Sequence, residues 1–134
     1  MTLQKENIII SKPKIFIDEH SYERLFNIAK TSLRQTPEVA EFLLNELSRA
    51  SILASDMLPS NVVRLGSNIT YSDDSANVQH TVYLVWPNEA DIDAKKISVL
   101  TPIGAALLGL SEGDSIDWRT NFGHTKQLTV TKVY

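Results

Sequence analysis

The N-terminal part of the chain places apolar residues at the period of an α-helix. Between residues 18 and 54 they recur every three or four positions in two runs, which predicts two amphipathic helices. The runs are Tyr22, Leu25, Phe26, Ala29 and Leu33, then Val39, Leu43, Leu47, Ala50 and Leu53. Asp18 is suited to cap the first helix, and Thr36-Pro37-Glu38 to start the second. We expect helices from Asp18 to about Lys30 and from Pro37 to Ala54, packed antiparallel as a hairpin because their connection is short.

After the linker of residues 56–61, which contains Pro59, the apolar period changes to two, as is typical of β-strands. Strands are predicted around Val63 and Leu65, Ile69 and Tyr71, Val78 to Trp86, Ile97 to Leu100, Ile116 and Trp118, and Leu128 to Val133. Turn-forming residues at 73–77 and 121–124 separate some of them. The pattern predicts an antiparallel sheet with one short helix laid on it. Its expected core includes Val82, Leu84, Leu107, Leu108 and Trp118.

The segment 97–114 has a clear local reason for each structural change. After the strand that ends at Leu100, the hydroxyl of Thr101 can cap a helix, and Pro102 fits the first helical position. Ala105 to Leu108 favour one or two helical turns, which Gly109 can end. Gly113-Asp114 then makes a turn before the next strand. We predict a strand, a short capped helix, a turn and a strand.

Composition narrows the class of protein. A chain of 134 residues with 43% apolar residues can form one domain, or one domain with an appendage. It has no cysteine, which suits a reducing cytoplasm, and we expect a cytoplasmic monomer. Its net charge of -3 argues against nonspecific nucleic-acid binding. Residues 1–13, including Ile8 to Ile10, are expected to be a flexible tail, since that apolar run is too short for a signal peptide or a membrane span.

Residues that could carry catalysis are scattered. His20, His80 and His124 have no partner at a metal-ligand spacing. Asp73-Asp74 and Asp91 with Asp93 lack the remaining positions of a calcium loop and are interpreted as solvated turn acids. There is no Gly-x-Ser-x-Gly elbow and no phosphate-binding glycine loop. We therefore expect no catalytic residue, no metal site and no cofactor, and hence no enzyme.

The segment 97–114 resembles the signature of the C-terminal domain of the GreA/GreB transcript-cleavage factors, and more closely that of the Rnk family, regulators of nucleoside diphosphate kinase. Residues 62–67, the stretch 84–91 and residues 43–50 extend the resemblance, which covers about Lys14 to Tyr134. It implies an α+β protein with a short helical hairpin at 14–57. An FKBP-like antiparallel sheet domain of the GreA/GreB C-terminal type would follow at 58–134.

The resemblance also implies a partner. Gre factors bind RNA polymerase at the mouth of its secondary channel through the loop and short helix of the signature, and the matching positions here are Leu100, Thr101, Pro102 and Ile103. Leu100 replaces an acid found in some Gre factors, and Thr101 stands where serine is usual. A purely structural interpretation stays open, in which Thr101 and Pro102 only cap the helix and Ile103 only fills the core.

The expected function is therefore that of an Rnk-type transcription regulator without transcript-cleavage activity. Gre factors carry paired acids on a long coiled coil, whereas residues 30–37 here contain two bases and no acid, between short helices. Three alternatives remain: a Gre-like cleavage factor, an adaptor for another protein, and a prolyl isomerase of the FKBP type. For the last, Tyr71, Tyr83, Trp86, Trp118, Phe122 and Tyr134 would supply aromatic walls.

Overall fold

Three helices and seven strands follow one another in the computed structural model, which describes residues 12–119 and 125–134. They are β1 (Phe16–Asp18), α1 (Glu19–Thr31), α2 (Pro37–Arg49), β2 (Ser51–Leu53), β3 (Asn68–Asp73), β4 (Val78–Val85), β5 (Lys96–Ser98), α3 (Pro102–Leu107), β6 (Ser115–Arg119) and β7 (Thr125–Val133). Short 3-10 turns lie at 55–57, 87–89 and 92–94. The predicted α+β class is confirmed.

The main sheet is mixed, so the prediction of a wholly antiparallel sheet is wrong. Its strand order is β5-β4-β3-β7-β6, and β4 and β5 run parallel, with Leu84 opposite Ile97. The other neighbouring pairs are antiparallel. Parallel neighbours need a connection that returns along the sheet. Residues 86–95 make that return through two 3-10 turns beside β5, a path that the alternation of apolar residues did not reveal.

A second sheet of two strands corrects the predicted end of the second helix. Helix α2 ends at Arg49, because Ala50 turns to an extended conformation with ψ 150°. Residues 51–53 then form β2, which pairs in parallel with β1. Tertiary pairing with residues 16–18 has therefore overridden the helical spacing of Ala50 and Leu53. The predicted strand at Val63 and Leu65 is also wrong: Val63 exchanges hydrogen bonds with Gly109 and Leu110 in irregular backbone.

The helix starts follow from local chemistry. Asp18 caps α1 as predicted, with its Oδ1 accepting from the His20 N–H at 2.8 Å. Partial burial opposes ionisation of Asp18, but hydrogen bonds from Ser55 and from the His20 backbone outweigh it and lower the pKa of this carboxyl. Thr36 occupies the cap position of α2, yet its hydroxyl donates to the Ser32 carbonyl instead of accepting from the helix. Pro37 begins α2 as predicted.

One apolar cluster joins the helices to the sheet. It includes Leu25 of α1, Leu43 of α2, Leu84 of β4 and Leu107 of α3, all fully buried. Val82, Leu84, Leu107 and Leu108 are buried as predicted, while the side chain of Trp118 lies outside the described residues. The Arg24 guanidinium of α1 lies 3.9 Å from the centre of the Trp86 ring, at the end of β4. The helical part is therefore packed onto the sheet part.

Two expectations fall on residues that the structure does not describe. Residues 1–11 of the expected tail, with Ile8 to Ile10, lie outside the described residues, as does the expected turn at 121–124. Lys12 and Pro13 are described, and both contact α2 through Glu46 and Arg49. In the ranges 12–119 and 125–134, no helix has the length and apolar character that crossing a membrane requires.

Candidate protein-binding site

The predicted site residues lie at the junction of β5 and α3, which we define as residues 98–104. Three residues connect the end of β5 to the start of α3. In this connection the Val99 N–H donates to the Val85 carbonyl at 2.9 Å. Thr101 links both sides of the turn. Its Oγ1 accepts from Gly104 N–H at 3.0 Å and donates to the Ser98 carbonyl at 2.7 Å. The capping role predicted for Thr101 is thus confirmed.

Gly104 makes the junction tight. A Cβ at this position would overlap the Ser98 carbonyl oxygen and would lie 2.9 Å from Thr101 Oγ1. Only glycine lets the first turn of α3 approach β5 so closely. Ser98 also fixes the intervening residue, because its Oγ accepts from Leu100 N–H at 2.9 Å. The junction is therefore held by backbone and side-chain hydrogen bonds on both flanks.

The four predicted residues differ in what they present to solvent. Pro102 is exposed at the first position of α3, whereas Leu100, Thr101 and Ile103 are half-buried. Leu100 and Ile103 pack against the main apolar cluster. Ile103 therefore has a part in the core, as the structural interpretation holds, while Pro102 contributes its surface to solvent. The structure brings the four residues together on one turn.

A loop beside the junction contains the predicted turn acids Asp91 and Asp93, but its apolar residue Ile92 was not among the predicted site residues. We define the edge loop as residues 86–95, and its 3-10 turns contact β5. Ile92, in the middle of the loop, has 83% of its surface exposed. The sequence did contain one indication of this exposure, because Ile92 is an aliphatic residue between two acids, Asp91 and Asp93. The period-two pattern of apolar residues does not extend to this stretch and so did not point to it.

Asp73, one of the predicted turn acids, is bound to neighbouring side chains. The Asp73 carboxylate accepts from the Ser75 hydroxyl at 2.8 Å and from Lys126 Nζ at 3.3 Å, and these contacts lower the pKa of Asp73 despite some desolvation. Among the described residues no group of three His, Cys, Asp or Glu side chains could hold a metal ion. His20 and His80 are exposed, and His80 stacks on Tyr71 with ring centres 5.2 Å apart. His124 lies outside the described residues.

Glu46 is a buried carboxylate that the sequence did not indicate. Glu46 in α2 has a side chain only 3% exposed, and Arg49 binds it in a bidentate way at 2.7 and 3.2 Å. Lys12 Nζ lies 3.1 Å from its Oε2, and Arg49 also donates to the Pro13 carbonyl at 2.6 Å. Glu46 to Arg49 is an ordinary surface spacing on a helix, so only the packed structure shows that this group is buried. Its role is to fasten residues 12–13 to α2.

The connection between α1 and α2 forms the far end of the helical part, which we call the helical tip, residues 30–37. Lys30 and Arg34 are exposed there, and neither is within 4 Å of a carboxylate in the described part of the chain. The Lys30 ammonium lies 5.3 Å from the centre of the half-exposed Phe26 ring. Glu38 follows at the second position of α2, beside the positive end of that helix. The tip thus presents cations and no pair of acids.

Comparisons with known proteins match both parts of the chain. The family model described as transcription elongation factor GreA/GreB, C-terminal, matches residues 58–134, and the model of the Rnk N-terminus matches residues 13–53. The regulator of nucleoside diphosphate kinase of Escherichia coli K12 is 31% identical over 92% of this chain and 91% of that protein. Transcription elongation factor GreA of Rhodospirillum rubrum is 38% identical over 64% of this chain.

This chain spans only about half of that GreA, 54% of its length. Among solved structures, a prokaryotic transcription elongation factor GreA/GreB from Nitrosomonas europaea superposes with a TM-score of 0.71 at 34% identity. The match covers 91% of this chain and 98% of that one. The helical part and the sheet part are therefore found together, in the same order, in a solved relative.

Proposed function

Because the chain belongs to the GreA/GreB family, and within it to the Rnk regulators of nucleoside diphosphate kinase, we propose that it regulates transcription by binding RNA polymerase. In this proposal the domain at 58–134, of the FKBP-like type, docks near the mouth of the secondary channel. The helical hairpin at 14–57 points into the channel without promoting transcript cleavage.

The main structural support for this proposal is the hydrogen-bonded junction of residues 98–104. Thr101 and Gly104 hold the turn against Ser98, so that Pro102 is presented on a backbone that is already ordered. Ordering a loop during association costs free energy, and a preformed turn avoids that cost. Pro102 is also exposed, and proline is well tolerated at the first helical position, because the N–H that it lacks would have no intrahelical partner there. A rigid apolar protrusion of this kind suits a protein partner.

Replacing Pro102 by aspartate is expected to lower the affinity for core RNA polymerase by about tenfold or more, as loss of an interface anchor does. An acid is favourable in the first turn of a helix, so the fold should persist. Binding would be measured by fluorescence anisotropy with the labelled full chain, and folding by circular dichroism. Ile103 is left unchanged, because it packs against the core.

Pro59 offers a matched control, since it is likewise an exposed proline but lies in the linker, away from both the junction and the helical tip. Pro59→Asp should retain binding. If Pro102→Asp binds as tightly as the unchanged chain, the contact lies outside the junction.

The geometry of the helical part supports the absence of cleavage. Helices α1 and α2 have 13 residues each. At a rise of 1.5 Å per residue each spans only about 20 Å. Since α2 ends at Arg49, it is shorter than the sequence indicated. Metal-assisted hydrolysis needs carboxylates that hold the ion and its attacking water, and the helical tip carries Lys30 and Arg34 instead.

Adding the protein to backtracked elongation complexes should therefore leave the RNA length unchanged. With a Gre factor present, it should slow cleavage by that factor, because both proteins would occupy the same channel. RNA length on a denaturing gel measures both effects. Shortened RNA with this protein alone, where polymerase by itself does not cut, would favour the cleavage-factor alternative.

The prolyl-isomerase alternative receives no support from the described aromatic side chains. Tyr71 is buried on the core face of the sheet, while Tyr83 lies on the opposite face and is exposed. Trp86 is covered by Arg24, and Tyr134 is exposed at the chain end. These side chains do not surround one pocket. The side chain of Trp118 and the whole of Phe122 lie outside the described residues.

A further inference from the structure

Ile92 is the most exposed of the large apolar side chains in the described part of the chain. Its exposed fraction is 83%, above the 68% of Met57 and the 67% of the terminal Tyr134. Isoleucine on a protein surface keeps its apolar area in contact with water, so the favourable free energy of burying that area is not realised. A partner that covered Ile92 would recover that free energy.

Backbone hydrogen bonds hold Ile92 in this exposed position. Asp91 and Lys96 exchange two bonds, at 3.0 and 2.9 Å, which close the base of the turn. Across the turn, Lys95 N–H donates to the Ile92 carbonyl at 3.0 Å, and Lys95 adopts the left-handed conformation with φ 62°. The side chain is therefore presented by an ordered turn, and binding would not have to order it.

The edge loop and the junction adjoin the same edge strand, with Ile92 before β5 and the junction at its end. Strand β5 is the last strand of the sheet at this edge, and both 3-10 turns of the loop pack beside it. The junction begins at the end of the same strand, at Ser98. Ile92 and Pro102 thus belong to one edge of the sheet, flanking β5.

The charges beside Ile92 define the partner's chemistry. Asp91 and Asp93 flank it directly, both are exposed, and neither forms an ion pair within the described ranges. The whole chain carries a net charge of -3. Such a field favours association with a basic surface and disfavours an acidic one. An apolar pocket rimmed by lysine or arginine would complement Asp91, Ile92 and Asp93 together.

We propose that Ile92 is an anchor residue of the polymerase contact, inserting into an apolar pocket on a basic face of the enzyme, with Asp91 and Asp93 facing its cations. This inference rests on the proposed function and extends it, because it adds the edge loop to the junction as a second, separate contact. It also assigns the chemistry of the surface that is recognised.

The test compares full-length variants for binding to core RNA polymerase. Ile92→Ser should weaken binding by about tenfold or more, whereas Ile92→Val should stay within about threefold, since it keeps most of the apolar surface. Met57→Ser, which alters an exposed apolar residue of the 55–57 turn, is the matched control and should bind unchanged. Asp91→Asn with Asp93→Asn should reduce the salt dependence of binding. All variants should keep the circular dichroism spectrum of the unchanged chain.

The outcomes separate the two proposals. If the unchanged chain binds polymerase and Ile92→Ser binds equally well, this inference is overturned while the proposed function stands. If the unchanged chain does not bind polymerase at all, both fall together. A salt dependence that is the same with and without Asp91 and Asp93 would remove the basic rim from the inference.

Discussion

Replacing Arg49 by alanine is expected to lower the free energy of unfolding by about 3 kcal/mol, the lower end of the cost of removing one partner from a buried ion pair, because Glu46 is buried while the Arg49 side chain is 28% exposed. Among the described residues, Arg49 supplies two of the three hydrogen bonds to the Glu46 carboxylate, whose side chain is 3% exposed. Without Arg49, that carboxylate would stay in the protein interior with Lys12 alone, and the bond to the Pro13 carbonyl would also be lost. Urea unfolding followed by circular dichroism measures the effect.

A double variant shows whether the cost comes from the unpaired charge. Glu46→Leu together with Arg49→Met removes both charges and fills a similar volume, so it should be much more stable than Arg49→Ala alone. Arg34→Ala at the exposed helical tip serves as the control and should change the unfolding free energy by less than about 0.5 kcal/mol. Equal stabilities for Arg49→Ala and Arg34→Ala would mean that Glu46 is solvated.

Replacing Gly104 by alanine should lower the free energy of unfolding by about 2–4 kcal/mol, from overpacking and lost hydrogen bonds. The added Cβ overlaps the Ser98 carbonyl oxygen, so α3 must move away from β5. That movement breaks the bonds of Thr101 to Ser98. Helix propensity alone predicts the opposite sign, a gain of about 1 kcal/mol for glycine to alanine inside a helix. Thermal and urea unfolding of the variant decide between the two.

Gly113→Ala controls for backbone strain. Gly113 has φ 92° but nothing within 4 Å of an added Cβ, so this variant should lose only about 1–2 kcal/mol. Because the junction is the proposed docking turn, Gly104→Ala should also weaken binding to polymerase, whereas Gly113→Ala should not. A Gly104→Ala variant that is as stable as the unchanged chain would show that the junction tolerates a wider approach of the helix.

The elements that sequence reasoning placed correctly are those whose cause lies within a few residues. Asp18 caps α1, Pro37 and Pro102 begin helices, and Thr101 accepts from the third residue after it. In each case the group and its partner are close neighbours in the chain, so residue type and order are sufficient. The strands β3, β4, β6 and β7 also follow their period-two pattern closely enough to be found.

The errors concern pairing between distant residues. Ala50 and Leu53 have helical spacing, but residues 51–53 pair with 16–18, which are about thirty-five positions earlier in the chain. The parallel neighbour of β4 and the irregular backbone at 62–65 likewise depend on which distant segment supplies the hydrogen bonds. Local periodicity reports that a segment is half-buried, but not its partner or direction.

For this protein, the sequence by itself determined the family, the α+β class, the helix starts and the turn that carries Thr101 and Pro102. These rest on residues that act on their immediate neighbours. Only the tertiary structure decided that Glu46 is buried, that Ile103 packs against the core while Pro102 is exposed, and that Ile92 is exposed beside β5. Burial is a property of what other segments cover, and a side chain's own type does not contain that information.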